Sequence, residues 1–429
     1  DMSTNRSVTV IACVTIVTVV LTLHSEVWRG VTLERKILPQ PIYRPIIIIS
    51  NATANSTTKA TANSTTKAFA NNTIKATANS TTSSATATQN STIKVINTIN
   101  GNKRNKPFFH FYGEDAFNFD GCEYTNCVVK HSENPHDAHG ADLVLVYFNA
   151  GSDKSKERMS QIRQAHIEAQ KLPSPSVWLI NGHEAPSWIA HKWKDFFNTF
   201  DGAVSYGRNS LVYRPYGMAF QKENNSQTLE HINYAENKTK GAFAYVSNCA
   251  SHGYKRVELM KQLSKYFHVD IYGKCTGRLT SCGRYKYDCI ARLHSQYHFY
   301  LSWENSLCHD YITEKFWKIL NGDGYYIPIA LGGLSVEDYA VVAPQDSFLH
   351  VYNFSSLEAL AGYMKTLTQD HSAFNKYHHW RDTYDIILGP NQHCKYCEMA
   401  NFPSKFKRSK SNIATEFNKP SECRDLNNS

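Results

Sequence analysis

The sequence lacks a long block of basic residues, and this argues against a nucleic-acid-binding protein. Its 46 lysine and arginine residues exceed its 37 aspartate and glutamate residues, which gives a formal net charge of +9, but they are spread along the chain. Nucleic-acid-binding domains usually concentrate their basic residues on one face or along one helix. We therefore expect no nucleic acid partner, although the charge is compatible with a small anionic ligand.

The first hundred residues have little capacity to form a hydrophobic core. Between Asn51 and Ser83 an eight-residue unit occurs four times, as ATANSTTK, ATANSTTK, AFANNTIK and ATANSTTS. Such polar repeats bury too little apolar surface to compensate for the entropy lost on ordering the chain. We predict a disordered stalk over residues 24–105, with the folded protein after it.

Sequons for asparagine-linked glycosylation are dense in this stalk. Six begin between residues 51 and 90, and further sequons occur in the folded part of the chain. Their density indicates that the segment faces an oxidising lumen and is glycosylated there. The nine candidate asparagines are Asn51, Asn55, Asn63, Asn71, Asn79, Asn90, Asn224, Asn237 and Asn353.

One apolar run precedes the stalk, from Val8 to Leu23, and contains no charged residue. A bilayer span needs roughly 17–25 residues, so this run lies at the short end, which favours thin early-secretory membranes. A cleaved signal peptide is the alternative, but no small-x-small cleavage site follows before Trp28. We predict a cytosolic tail over residues 1–7 and a transmembrane signal-anchor over residues 8–23, giving a type II membrane protein that could also form oligomers through its anchor or stalk.

Of the eleven cysteines, Cys13 lies in the apolar run and ten follow the stalk. An even number in a lumenal domain is typical of a disulfide framework. Two close pairs could alternatively each provide half of a zinc site, but no second pair has zinc-finger spacing. We predict disulfides and leave their connectivity open. The ten candidates are Cys122, Cys127, Cys249, Cys275, Cys282, Cys289, Cys308, Cys394, Cys397 and Cys423.

Alternating strand and helix patterns begin after Pro107 and form two blocks separated by a polar interval. This order predicts an α/β fold with two parallel, doubly wound sheets facing each other across a cleft, in domains over residues 106–238 and 239–400. Residues 401–429 are predicted to be a tail, with the basic run Lys405–Lys410 in solvent. The predicted strands are 108–112, 141–148, 176–180, 202–205, 243–247, 268–272, 297–303 and 325–331, and the predicted helices include 256–266 and 312–320.

Two strand-to-helix turns carry candidate ligand-binding residues. The strand ending at Trp303 is followed by the turn Glu304-Asn305-Ser306 and by a helix whose first turn contains Lys315. An earlier turn places Arg256 near the start of another helix. In doubly wound folds, ligands bind where strands end and helices begin. Since no Asp-x-Asp metal motif occurs, two cationic side chains could neutralise a diphosphate. The alternative is an ordinary solvated Glu-Lys pair on a surface helix.

The segment YLSWENSLCHDYITEKFW, followed by IPIALG, closely resembles the donor-binding signature of the α1,3/4-fucosyltransferase family. The segments SNC, VDIYGKC and SSLEALAGYM also resemble family segments, so the resemblance extends roughly over residues 107–397. It implies an inverting α1,3-fucosyltransferase of the Golgi membrane, with its catalytic domain in the lumen. The implied fold has two Rossmann-like, doubly wound domains facing a cleft (GT-B type). The donor would be GDP-fucose, the acceptor a GlcNAc hydroxyl of an N-glycan or related glycoconjugate on protein or lipid, and no divalent cation would be obligatory.

The resemblance also assigns roles to individual residues. Glu184, in SVWLINGHEAPSW, lies at the position of the family's general base, although Ala185 replaces the expected serine. In VSYGRNSLVYRPYG, Asn209 and Leu211 stand where the family commonly has acidic residues. The implied donor-binding residues are Arg256 and Lys315 for the diphosphate, Asn305 and Tyr311 for phosphate or ribose, Glu314 for sugar hydroxyls, and Asn248.

Other functions are compatible with parts of the sequence. The same fold could use a different nucleotide sugar, or could bind glycans as a lectin-like protein without turnover, and the stalk alone is typical of a mucin-like surface protein. No metal ligands are predicted, because the histidines that invite such a role lack ligand spacing. These histidines, which we expect to have packing or surface roles, are His183, His298, His378 and His379.

Overall fold

Two parallel β-sheets dominate the computed structural model of the 429-residue chain. All described residues belong to one compact unit, Ala87–Ser429. The structure describes residues 92–99, 117, 122–147, 154–173, 176–186, 194–222, 232–249, 254–278, 287–406 and 423–424.

Within these ranges the first sheet contains six strands, all parallel, in the order β2-β1-β3-β4-β5-β6. Val144, Trp178 and Ile180 lie in the core on one face of the sheet, whereas Leu145 and Leu179 lie in the core on the other. Both faces are therefore covered, as expected for a parallel sheet. The strands are β1 Lys94–Ile99, β2 Cys127–Ser132, β3 Leu143–Tyr147, β4 Val177–Asn181, β5 Gly202–Ser205 and β6 Val212–Tyr213.

The second sheet contains five parallel strands among the described residues, in the order β13-β12-β10-β8-β9. Every residue of β10 is buried, so this strand lies at the centre of the second core. The strands are β8 Lys240–Tyr245, β9 Val269–Tyr272, β10 Tyr297–Trp303, β12 Ile327–Leu331 and β13 Leu349–His350. Two antiparallel pairs are separate from both sheets: β7 Gly217–Gln221 with β14 Tyr384–Leu388, and β11 Leu307–Cys308 with β15 Cys423–Arg424.

Helices connect most of the parallel strands. The α-helices are α1 Lys154–Ala169, α2 Arg256–Leu263, α3 Tyr287–His294, α4 Glu314–Asn321, α5 Val336–Ala340, α6 Leu357–Gln369, α7 His371–Lys376, α8 His393–Asn401 and α9 Pro403–Phe406. Short 3-10 helices form at Pro135–Ala138, Lys194–Thr199, Val351–Asn353 and His379–Asp382. The alternation of strand and helix confirms the predicted α/β fold with parallel sheets.

Two predicted boundaries are wrong. The stalk was expected to reach residue 105, but Lys94–Ile99 forms β1, which lies inside the first sheet between β2 and β3. The second domain was expected to include residues up to 400, but the last helix in that range, α8, packs against the first sheet. Tyr396, Cys397 and Met399 of α8 pack in the same core as Leu145 and Leu179.

Disulfide bonds hold α8 against the first sheet. Cys122 is bonded to Cys394, and Cys127 to Cys397, so two bonds join the start of the first sheet to α8. These pairings confirm the disulfide interpretation of the two close cysteine pairs over the zinc alternative. Further bonds join Cys249 to Cys275 and Cys308 to Cys423, and Cys289 is also disulfide-bonded.

Several predicted features lie outside the described residues, including the anchor (8–23), the repeats, the strand at 108–112, Cys282, and the sequons at Asn224 and in the stalk. In the described part of the chain, no helix has the length and apolar character to cross a bilayer. The sequon residues Asn237 and Asn353 are described, and both are exposed.

Candidate active site

The strand order of the second sheet identifies where a ligand would bind. Taken in chain order, its strands follow the pattern 2-1-3-4-5, and the connections reverse direction between β8 and β10. Ligands of doubly wound sheets bind beyond the carboxyl ends of the strands at such a switch point. The turns that follow β8 and β10 contain the predicted donor-binding residues Asn248, Arg256 and Asn305.

Arg256 connects these two turns. It is the first residue of α2 and is 3% exposed. Its guanidinium donates hydrogen bonds to the carbonyl oxygens of Trp303 (3.1 Å) and Asn248 (2.7 Å), one from each turn. The Tyr254 hydroxyl donates to the carbonyl oxygen of Glu304. The cation is therefore held rigidly at the switch point.

Lys315 lies beside two carboxylates at the start of α4. Its Nζ is 3.0 Å from Glu304 Oε2, 3.3 Å from Glu314 Oε1 and 2.8 Å from Thr313 Oγ1. Desolvation lowers the pKa of Lys315, but Glu304 and Glu314 outweigh it and hold the pKa above its ordinary value. Lys315 is therefore protonated at neutral pH. The positive charge of Arg256 lowers the pKa of Lys315, opposite to the effect of the carboxylates. The two predicted phosphate-binding cations therefore belong to one site.

Glu304 organises the start of α4, a role that the sequence analysis did not assign to it. Its side chain has no solvent exposure and accepts hydrogen bonds from the backbone N–H (2.8 Å) and hydroxyl (2.8 Å) of Thr313, the N-cap residue of α4. Burial raises the pKa of Glu304, and Lys315 opposes this shift. The signal in the sequence is the pairing of a carboxylate at a strand end with Thr-x-Lys at the next helix start.

Two further predicted donor-binding residues border this region. Asn305 is 7% exposed, and none of the described residues donates a hydrogen bond to its Oδ1 atom. A buried acceptor of this kind is costly unless a ligand or water pairs with it. Tyr311 is buried, and its ring lies 5.1 Å from the ring of Tyr206, which follows β5 of the first sheet.

Glu184 lies in the loop that follows β4 of the first sheet. Ala185 next to it packs in a buried cluster with Tyr206, Cys308 and Tyr311, which brings the loop against the segment before α4. Glu184 itself is exposed. Desolvation by the surrounding protein raises the pKa of its carboxyl group; Lys315 lowers this pKa, and Glu314 and Glu304 raise it further. The structure therefore brings Glu184 into electrostatic reach of the α4 residues.

Arg208 joins the two halves of the site and was missed by the sequence analysis. From the loop after β5, it bonds Asp310 through its backbone N–H (2.9 Å) and its Nε (2.6 Å), and its guanidinium lies 3.5 Å from Asp338. Asp310 has a positive φ of 57° and immediately precedes Tyr311. This contact holds the strained turn against the first sheet. In the sequence, Asn209 and Leu211 mark this loop because they stand where the family commonly has acidic residues. They do not indicate a role for Arg208.

The four histidines named from the sequence occupy ordinary positions. His183 lies next to Glu184, where its Nε2 is 3.2 Å from the carbonyl oxygen of Arg214, and burial lowers its pKa to about 3. His298 and His378 are buried, and His379 is exposed. Near the site, His309, Asp310 and Asp338 form a different group that could offer three metal-ligand atoms. Arg208 already bonds both of its carboxylates.

Comparison with known proteins decides the family. A model of glycosyltransferase family 10 (fucosyltransferase), C-terminal part, matches residues 235–416. Alpha-(1,3)-fucosyltransferase 7 of Bos taurus is 30% identical over 267 residues, which cover 62% of this chain and 70% of that protein. The chain belongs to the family 10 fucosyltransferases. It is therefore a glycosyltransferase by family, and the matched region contains the turns that carry Arg256, Asn305 and Lys315.

Two other fucosyltransferases show how much of the chain is shared. Glycoprotein 3-alpha-L-fucosyltransferase A of Drosophila melanogaster is 39% identical over 285 residues, covering 64% of this chain and 51% of that protein. Alpha-(1,3)-fucosyltransferase fut-1 of Caenorhabditis elegans is 28% identical over 307 residues, covering 67% of this chain and 63% of that protein. The chain thus spans between about half and two thirds of the length of these two fucosyltransferases.

Proposed function

We propose that this fucosyltransferase transfers L-fucose from GDP-fucose to a GlcNAc hydroxyl of an N-glycan or related glycoconjugate, forming an α1,3 linkage with inversion. The observation that carries the proposal is the packing of Ala185 against the segment before α4, which leaves the neighbouring Glu184 carboxyl group within electrostatic reach of Lys315 and Glu314. The fly relative, 39% identical, is named for transfer to glycoproteins, which supports a glycoprotein acceptor.

The proposed donor site uses side chains to neutralise the diphosphate. Arg256 and Lys315 supply two positive charges, and the N-terminus of α4 adds the partial positive charge of its helix dipole. When the diphosphate binds Lys315, the half-buried partner Glu314 is released to accept hydrogen bonds from sugar hydroxyls, while the fully buried Glu304 retains its bonds to Thr313. Asn305 Oδ1 accepts a hydrogen bond from the nucleotide, and Tyr311 and Asn248 border it. No divalent cation is proposed for the donor.

The proposed reaction is a single displacement. The Glu184 carboxylate removes the proton of the acceptor hydroxyl while the oxygen attacks the anomeric carbon of fucose. The bond between that carbon and the diphosphate oxygen breaks on the opposite face, through an oxocarbenium-like transition state, and the electron pair leaves with GDP. The proton remains on Glu184, and its raised pKa suits this role, because a stronger base accepts the proton more readily.

We also propose the surrounding architecture. The first sheet would form the acceptor-binding domain and the second the donor-binding domain of a GT-B enzyme. The proposal rests on the same 2-1-3-4-5 strand order at the start of both sheets. The domain would lie in the Golgi lumen, attached through the stalk to an N-terminal type II anchor. This arrangement suits a chain with disulfide-bonded cysteines.

The decisive experiment replaces Glu184 by glutamine in the full-length chain. Glu184→Gln should reduce transfer from GDP-fucose by at least about a hundredfold, the lower range for general-base catalysis, and should leave GDP affinity nearly unchanged. The matched control Glu358→Gln alters an exposed carboxylate in the first turn of α6 and should retain full activity. Transfer is measured with EDTA present, in which activity should persist.

Three results would contradict the proposal. If Glu184→Gln retains activity, Glu184 is not the base. If a panel of GDP- and UDP-sugars shows a preference for a sugar other than fucose, the donor is wrong. If EDTA abolishes transfer and manganese restores it, the side-chain neutralisation of the diphosphate is wrong.

A further inference from the structure

A cluster of two histidines and a glutamate lies away from the proposed active site. His136 belongs to the 3-10 helix Pro135–Ala138, His139 follows that helix, and Glu168 lies in the last turn of α1. Each contributes one potential ligand atom, and the three atoms lie within 4.8 Å of one another.

Two distances within this cluster are close to those of a metal site. Tetrahedral Zn²⁺ with bonds of about 2.0–2.1 Å separates its ligand atoms by about 3.3 Å. His136 Nδ1 lies 2.9 Å from Glu168 Oε2, and His139 Nε2 lies 3.6 Å from the same oxygen. Shifts of a few tenths of an ångström therefore bring these pairs to zinc-binding separations. The His139 proton that now faces the carbonyl oxygen of Ala165, at 3.3 Å, would be replaced by the metal.

Two of the three ligands are adjacent to buried residues, and the third lies in a capped helix. Ala138 precedes His139 and Ala169 follows Glu168, and both alanines are fully buried in the core of the first sheet. Asn134 caps the 3-10 helix by accepting a hydrogen bond from the backbone N–H of His136 at 3.1 Å. These contacts fix the ligand positions before a metal arrives and so reduce the entropy cost of binding.

The cluster also has an outer hydrogen bond and access to solvent. Gln164, one turn before Glu168 on α1, donates to Glu168 Oε1 at 2.8 Å and leaves Oε2 facing the two histidines. Such outer contacts commonly orient metal-binding carboxylates. The three side chains are between 36% and 40% exposed, so water can reach a fourth coordination position.

We propose that His136, His139 and Glu168 form a Zn²⁺ site that stabilises the first sheet. Two imidazoles and one carboxylate are a ligand set typical of zinc. Glu168 lies at the carboxyl end of α1 and His139 lies just before β3, at the amino-terminal edge of the parallel strands. Glu184 follows β4 at the opposite edge. The site is therefore structural, and it does not depend on the proposed transferase activity.

The test measures zinc binding to the full-length chain purified without a histidine tag. Zinc affinity is determined by competition with a chromophoric chelator, and site geometry from the visible absorption of bound Co²⁺. His136→Ala should lower zinc affinity by at least about tenfold, and Glu168→Gln, which keeps the side-chain shape, should also lower it. His371→Ala, at an exposed histidine, is the control and should bind zinc as the parent does.

Thermal unfolding gives an independent readout, because a ligand that binds the folded state raises Tm. At the same zinc concentration, zinc should raise the Tm of the parent and of His371→Ala more than that of His136→Ala or Glu168→Gln. The Tm of each variant without zinc shows whether it folds. Equal zinc affinity in all four proteins, or no zinc binding by the parent, would overturn the proposal. Neither result bears on fucose transfer, which is assayed separately.

Discussion

Glu184 carries the ionisation on which the proposed reaction depends. Desolvation, Glu314 and Glu304 raise its pKa above the ordinary 4.5, against the influence of Lys315. Because a general base acts in its deprotonated form, kcat/KM should fall as pH decreases, with a midpoint above 4.5. The pH–rate profile tests this, with circular dichroism at each pH to show that the fold is intact. An acidic limb centred at or below pH 4.5 would contradict the assigned environment.

Lys315 has two roles that mutagenesis can separate. Lys315→Ala should weaken GDP binding by about 1.5–3 kcal/mol, the value of a charge-assisted hydrogen bond. It should also lower stability, because Glu304 is left buried without its counter-charge. Calorimetry and thermal unfolding measure the two effects.

The double variant Lys315→Ala/Glu304→Gln separates these effects, because it removes both charges. It should recover part of the lost stability while GDP binding stays weak. Lys318→Ala, one turn later on α4, is the control and should bind GDP normally. Unchanged GDP affinity in Lys315→Ala would exclude Lys315 from the phosphate site.

At the level of single residues, the sequence predicted the cationic residues of the donor site better than it predicted the side chains that position them. Arg256 and Lys315 stand out because each follows a strand end, where ligand sites form. The role of Glu304 depends on its complete burial and on the return of Thr313 to its carboxylate. The contact of Arg208 with Asp310 joins positions 102 residues apart. A single sequence contains no measure of such burial or distance.

Two glycines differ in the space that surrounds them, and replacing each by alanine tests how tightly the elements pack. Gly217 begins β7, where an added Cβ would lie 2.5 Å from the ring of the buried Trp317 on α4. Gly217→Ala should therefore lower the free energy of unfolding by about 1–3 kcal/mol through overpacking. Gly362 lies within α6, and an added Cβ there meets no atom within 4 Å.

Gly362→Ala should accordingly raise the free energy of unfolding by about 0.5–1 kcal/mol, because alanine favours the helix. Urea unfolding of both variants checks the opposite signs. Equal and small effects would mean that β7 can move away from α4.

The strands predicted with the right bounds are mostly apolar, whereas the missed strand β1 has polar side chains in the middle of a short run. β5 and β10 have the predicted bounds, 202–205 and 297–303. β1 was assigned to the stalk because KVINTI follows an asparagine- and threonine-rich region. Asn97 and Thr98 are nevertheless buried, since Asn97 bonds Ser132 and Thr98 bonds the carbonyl oxygen of Lys130 on β2. Hydrogen bonds to these partners offset the cost of burying Asn97 and Thr98 only after the sheet has formed.

For the molecule as a whole, the two disulfides to α8 are partly redundant. Replacing Cys122 and Cys394 by serine should cost less stability than replacing all four cysteines, because Cys127–Cys397 still closes nearly the same loop. Without both bonds, about 270 residues are no longer closed into a loop, and the loss should be on the order of 5–6 kcal/mol.

Removing Cys249–Cys275, with a sequence separation of 26, should cost about 3 kcal/mol. Urea unfolding under non-reducing conditions compares these variants. If removing both bonds to α8 costs no more than the sum of the two single removals, the bonds act independently and are not redundant. The sequence supplied the cysteines but not their pairing, since the partners are 272 and 270 positions apart.

The return of α8 sets an order for biosynthesis. The sheet that contains β1 is the first to be synthesised, yet its hydrophobic layer includes Tyr396 and Met399, which emerge from the ribosome hundreds of residues later. The first half of the chain must therefore wait, with part of its apolar surface uncovered and Cys122 and Cys127 reduced or mispaired, until translation is nearly complete. A premature stop before residue 393 would damage the beginning of the protein as much as its end.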